Sequence, residues 1–170
     1  MRSYRSELRL AGLVIGLVTL AYVLVTTILG AVPSPGSPTG RTLGLLGLML
    51  MLMTQTAYSA RKRSRQPARW GNMEFWLRAH VFTGLVGAYA ALLHSSWRFN
   101  GLAGVVALLM LLILVSGFIG RYVFTSAPET ALGTRVLAFW YFIHVPLGMT
   151  LLALAFVHIG AAVYYSISAR

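Results

Sequence analysis

No cysteine occurs among the 170 residues. That excludes disulfides, iron–sulfur clusters held by thiolates, thiolate zinc sites, covalently attached c-type haem and cysteine nucleophiles. Acidic residues are nearly as scarce, three against fourteen basic ones, so a metal site must lean on histidine or on those few carboxylates. Charge of either sign is thin: 10% of the residues are charged and 58% are apolar, where a soluble chain carries about 25% charge. With a mean hydropathy of +0.75, a water-soluble domain would leave large apolar patches facing solvent. The composition is that of an integral membrane protein.

The net charge of +11 is the electrostatic footprint expected of a nucleic-acid binder, but its distribution speaks against that partner. The basic residues sit at the edges of apolar runs, where topology-setting charges belong. Arg2, Arg5 and Arg9 precede an apolar stretch from Leu10 to Val32 that exceeds the ~7–15 residues of a signal-peptide core. It reads as a first spanning helix.

A spanning helix needs about 20 mostly apolar residues. Five segments qualify: Leu10 to Val32, Thr42 to Ala60, Phe75 to Trp97, Leu102 to Phe124, and Val136 to Tyr165. The first break runs from Pro33 to Gly40, with prolines and glycines that punctuate a helix. Arg61 to Arg69 is the most polar stretch; Asn100-Gly101 and Thr125 to Gly133 supply the other two breaks. The fold class is therefore an all-α integral membrane bundle of five transmembrane helices, one domain over residues 1–170. No soluble segment is long enough for a second domain. Arg2, Arg5, Arg9, Arg61, Lys62, Arg63, Arg65, Arg69, Arg78, Arg121 and Arg135 fall on one side of the alternation, and Arg41, Arg98 and Arg170 on the other. The positive-inside rule then puts the N-terminus in the cytoplasm and the C-terminus outside. A multi-pass place in a bacterial-type inner membrane follows, with membrane lipid as the surround.

All four histidines lie in two of these segments: His80 and His94 in the third, His144 and His158 in the fifth, each pair fourteen residues apart. At about 100° per residue, fourteen steps end roughly 40° short of four turns, so both members of a pair face nearly the same way. They stand about 21 Å apart along the helix, within a hydrocarbon core about 30 Å thick. The third and fifth segments run parallel because one crossing separates them. His80 therefore aligns with His144 on the cytoplasmic side, and His94 with His158 on the outer side. A flat macrocycle with a central iron takes one axial ligand on each face, and neutral imidazole suits it. Two such layers make a stack of two haem b groups, His80/His144 and His94/His158.

On the third segment His80, Gly84, Gly87, Ala91 and His94 share a face, and on the fifth His144, Gly148, Leu151, Ala155 and His158 do. Small residues there leave room for a porphyrin edge, and they also serve close helix approach; in register with the histidines, Gly84, Gly87 and Gly148 are assigned to the cofactor. Haem propionates are anionic, which makes Arg78, Arg121 and Arg135 on the cytoplasmic side and Arg98 on the outer side candidate partners, beside a plain role in snorkelling and topology. Pro146 is expected to bend the fifth helix. Met49, Met51 and Met53 are assigned to lipid or packing. Two other readings of the histidines stand beside haem: a proton or metal-ion relay, and a non-redox membrane anchor. A shared zinc ion is disfavoured, since layers some 21 Å apart cannot hold one ion.

The pattern His80-x13-His94, an intervening helix, then His144-x13-His158 resembles the di-haem core of membrane b-type cytochromes. It is similar both to respiratory cytochrome b and to the ferric reductase-like transmembrane domain. The stretches His94-Ser95-Ser96-Trp97-Arg98-Phe99-Asn100-Gly101 and Ser116-Gly117-Phe118-Ile119-Gly120-Arg121 look like those of bacterial cytochrome b-like proteins. The resemblance covers residues 75–165 as a di-haem core of helices three to five, with residues 10–60 as two additional spanning helices. It implies transmembrane electron transport, iron held by the four histidines, and an oxidoreductase subunit or relay rather than a complete enzyme. Donor and acceptor would be redox partner subunits or quinone. Ferric reductase-like enzymes carry a flavin and nicotinamide module, for which no Gly-rich fingerprint exists here. Quinol-oxidising cytochrome b has Pro-Glu followed by aromatics, where Pro128-Glu129 precedes Thr130 and Ala131.

Overall fold

A computed structural model describes residues 6–64, 71–123 and 131–168. The charges Arg2, Arg5, Arg65, Arg69 and Arg170, the pair Pro128-Glu129, and most of the second and fourth breaks lie outside the described residues. The elements are α1 (Ser6–Leu29), α2 (Pro38–Arg63), α3 (Met73–His94), α4 (Gly101–Phe118), a π turn (Ile119–Val123) and α5 (Ala131–Ser168). Each of the five helices is long and apolar enough to cross a membrane, and the described residues contain no strand.

The helices α2 and α5 outrun their apolar runs at both ends, whereas α1, α3 and α4 begin before theirs and end short of them. Hydropathy marks where hydrocarbon must be met, whereas the helical ladder persists until a cap or a proline stops it. Thus α2 begins at Pro38, inside the stretch read as a loop, because a proline in the first turn has no intrahelical bond to lose; Ser37 caps it, its Oγ accepting from Gly40 N at 3.1 Å. Asn72 caps α3, its Oδ1 accepting from Glu74 N at 3.0 Å. The α-helical ladder of α4 stops at Phe118, short of the expected Phe124, and widens into the π turn. With 38 residues, α5 is about 57 Å long and must project beyond a core of about 30 Å. Pro146 sits inside it.

Two compact units form, divided between Arg98 and Phe99. In the first, α3 packs against both α1 and α2. The α2–α3 seam is close because glycine is present on both sides: a Cβ at Gly47 would stand 2.9 Å from the Gly87 carbonyl oxygen, and one at Gly87 would stand 2.9 Å from Leu50 Cβ. Hydroxyl pairs tie the helices together. Thr54 Oγ1 bonds to Leu50 O and Thr83 Oγ1 to Ala79 O, each at 2.8 Å within its own helix, and the two hydroxyls meet across the seam, where either can give its proton to the other. Thr19 Oγ1 donates to Ile15 O at 2.7 Å and accepts from the Tyr89 hydroxyl, joining α1 to α3. Such bonds between spanning helices are worth about 0.6–2 kcal/mol each. Beyond α3, the Ser96 hydroxyl donates to Pro33 O and pins the α1–α2 loop. Arg61 is buried, and its Nε and Nη2 donate to Gly71 O at 3.2 and 3.0 Å.

The second unit is the α4–α5 hairpin. Trp140 Nε1 donates to Ser116 O at 2.8 Å, and a Cβ at Gly120 would overlap the Trp140 indole. Outward positions stay apolar, among them Leu108, Leu111, Val115, Phe139 and Phe142. That is the surface a helix presents to lipid rather than to water.

Candidate haem site

His80 and His94 are both held by α2, each through a main-chain carbonyl. His80 Nδ1 lies 3.0 Å from Thr54 O, and His94 Nδ1 lies 2.9 Å from Gly40 O. Thr54 and Gly40 are fourteen residues apart, the spacing of the two histidines. Gly47 stands seven residues from each of them, and Gly87 seven from each histidine. The seam therefore repeats every seven residues on both helices, the period of helices wound on one another. One close approach in the middle sets a carbonyl against an imidazole at each end. A carbonyl only accepts, so both rings carry their proton on Nδ1 and their lone pair on Nε2, the nitrogen a metal ion takes. Gly44 makes space for the second ring, since a Cβ there would stand 2.9 Å from His94 Nδ1. Beside His80, the Tyr58 ring is 4.9 Å away, centroid to centroid.

In the second unit His144 Nδ1 meets the Ser116 hydroxyl at 3.1 Å, and its ring stacks on Trp140 at 4.9 Å with the planes 29° apart. A Cβ at Gly117 would come 3.3 Å from His144 Cε1. His158 is half-buried, on the same face of α5 as the buried Leu151 and Ala155 and the half-buried Gly148. The stripe expected on α5 is thus its least exposed face.

Part of the stripe on α3 packs against α2. Gly87 is spent on the seam with α2, and Ala91 meets Gly47 there. The reason is that α2 turns Gly44 and Gly47 toward α3, and glycine facing glycine at Gly47 and Gly87 lets two backbones approach. At Gly84 a Cβ would meet only Thr54 Cγ2, at 3.7 Å. Arg78 Nη2 pairs with Glu74 Oε1 one turn earlier. Arg121 stands in the π turn, half-buried, while Arg98 and Arg135 are exposed at the ends of α3 and α5. Met49 and Met53 are exposed, and Met51 Cγ lies on the Gly87 seam.

The groups that orient the rings escaped the sequence reading. A backbone carbonyl has no letter of its own, so Thr54 and Gly40 left no mark except their spacing. Ser116 and Gly117 stood out only through a family likeness. Trp140, four residues before His144, carries no sequence signal that separates it from other aromatics of membrane helices.

These side chains fit haem. Among the described residues no three His, Cys, Asp or Glu side chains gather as a protein-only metal site, and imidazoles oriented through Nδ1 are suited to an iron whose in-plane ligands come from a macrocycle. Comparison with curated proteins and with solved structures returned no match for this chain. A family model does match, over residues 9–170 and so through all five helices and all four histidines: prokaryotic cytochrome b561. The chain therefore belongs to the prokaryotic cytochrome b561 family, multi-pass haem proteins of electron transfer in the bacterial inner membrane.

Proposed function

We propose that this chain relays electrons across the membrane through two b-type haems, each held between two histidines: His80 with His144 toward the cytoplasm, His94 with His158 toward the outer face. The observation that carries the reading is the pair of α2 carbonyls, fourteen residues apart, holding the two α3 imidazoles in the tautomer that leaves Nε2 to iron. A proton relay has no use for rings locked at matched spacing by groups that cannot be protonated. Bound haem supplies a one-electron ferric/ferrous couple. The protein's part is to fix the rings and to keep water out between apolar helices. Gly84 and Gly148, each four residues after a ligand, leave space for ring edges. Arg78, Arg98, Arg121 and Arg135 are the cations available to propionates near either face.

The N-terminus is cytoplasmic by the distribution of basic residues. Electrons enter and leave through redox subunits or quinone, and the basic segment from Lys62 to Arg69, following the buried Arg61, offers an acidic cytoplasmic partner a docking charge. The test is haem stoichiometry with ligand variants. Purified protein should yield two haems per chain by pyridine haemochrome. His80→Ala and His144→Ala should delete one spectral species, and His94→Ala and His158→Ala the other. One haem per chain in fully loaded wild-type protein would refute the two-layer arrangement.

A further inference from the structure

The four rings are not oriented alike. Both α3 histidines answer to carbonyls, which no substitution removes, whereas His144 answers to a side-chain hydroxyl. We propose that Ser116 is the positioning residue of His144: it accepts the Nδ1 proton, turns Nε2 to the iron, and sets the redox potential of that one haem. The proposal rests on His144 being an axial ligand, and deepens that assignment.

Ser116 grips α5 twice. Its carbonyl oxygen accepts the Trp140 indole N–H at 2.8 Å, and its hydroxyl meets His144 Nδ1 at 3.1 Å, while the two rings stack on each other at 4.9 Å. Trp140 and His144 are one turn apart on α5, so a single residue of α4 addresses two successive turns. The glycines at 117 and 120 permit this, because a Cβ at Gly117 would press His144 and one at Gly120 would overlap Trp140. The helical ladder also changes just beyond Ser116, where the α4 turns give way to the π turn at Ile119. A wide turn of this kind is a recurrent mark of functional positions in helices.

A hydroxyl can accept a proton or give one, and the two directions differ in consequence. When it accepts from Nδ1–H, the lone pair is on Nε2 and the imidazole becomes a more basic ligand. A more basic axial ligand favours ferric over ferrous iron, so loss of the acceptor should raise the midpoint potential. The change should be confined to the layer that holds His144.

The experiment is potentiometric titration of purified holoprotein, following both haem bands, for wild type, Ser116→Ala and Ser116→Thr. Ser116→Ala should retain two haems and shift one couple toward the ferrous form, by about tenfold at fixed potential, or about 59 mV upward for one electron. The shifted band should be the one that His144→Ala deletes, and Ser116→Thr, which keeps the hydroxyl, should sit near wild type. Loss of one haem in Ser116→Ala that Ser116→Thr restores would support the same role. Two unchanged midpoints at full haem content would overturn the proposal and leave the two-haem relay standing, as would equal shifts in both bands or haem loss in both variants. A wild-type preparation whose spectrum does not respond to His144→Ala would overturn the relay assignment itself.

Discussion

At the scale of single residues, glycine decides more than its size suggests. Gly44 and Gly84 look equivalent in sequence, each a glycine in an apolar helix, yet a methyl group at Gly44 would strike the His94 imidazole at 2.9 Å while one at Gly84 would only touch Thr54 Cγ2 at 3.7 Å. Gly44→Ala should therefore push His94 off its carbonyl and lower the content of one haem. Gly84→Ala touches no histidine and should act only on the ring edge in the His80 layer, so reduced-minus-oxidised spectra should show the two variants affecting different bands. The same distinction between side chain and main chain applies at Thr54. Because the group that meets His80 is the Thr54 carbonyl, Thr54→Val should retain both haems at unchanged absorption maxima. It should cost stability only through the lost pair with Thr83, about 0.6–2 kcal/mol, visible as a modest fall in the thermal midpoint in detergent.

At the scale of elements, α2 is the frame on which α3 is mounted. The seam has its closest approach at Gly47 and Gly87, midway between the two histidine contacts, so widening it should loosen both ends together. A Cβ at Gly47 would meet backbone, the Gly87 oxygen at 2.9 Å and the Ala91 nitrogen at 3.1 Å, and backbone within a helix yields little. Gly47→Ala should destabilise by about 1–3 kcal/mol, the range for overpacking. Unlike Gly44→Ala it should reduce both haem bands in parallel. Parallel loss, measured by reduced-minus-oxidised spectra, separates a seam effect from a local one; loss of a single band would show that the seam does not couple the two ends. On the other hairpin, Trp140→Phe removes the indole donor to Ser116 O. About 1 kcal/mol of the hairpin's stability should go with it, read as a lower melting temperature with both haems still bound at low temperature.

At the scale of the whole molecule, the prediction that tests the proposed relay is vectorial. Purified protein in liposomes enclosing an oxidant should pass electrons from an impermeant reductant outside, and the rate should collapse in both His80→Ala and His158→Ala, which interrupt different layers. Haem reduction without transfer to the enclosed oxidant would refute the relay. A reporter fused to the N-terminus should also report the cytoplasm, as the basic residues from Arg9 to Arg135 require.

What the sequence determined by itself was everything governed by local period and by composition. Apolar runs of spanning length gave five helices, and fourteen residues between histidines gave two levels on one face, because both follow from rise and rotation along a single helix. The rotation of α3 about its own axis was beyond that reach. In a soluble helix the polar face would announce it, but here lipid and protein interior are alike apolar, so no hydrophobic contrast points Gly87 toward α2 rather than toward a cofactor. The tertiary structure decided that point through glycines converging from two helices at Gly47 and Gly87. It also decided which atoms hold the histidines. Two are main-chain oxygens that any residue would supply, and the third is the hydroxyl of Ser116 on a neighbouring helix. A hydrogen bond between helices depends on where two separate backbones come to lie, and packing alone sets that.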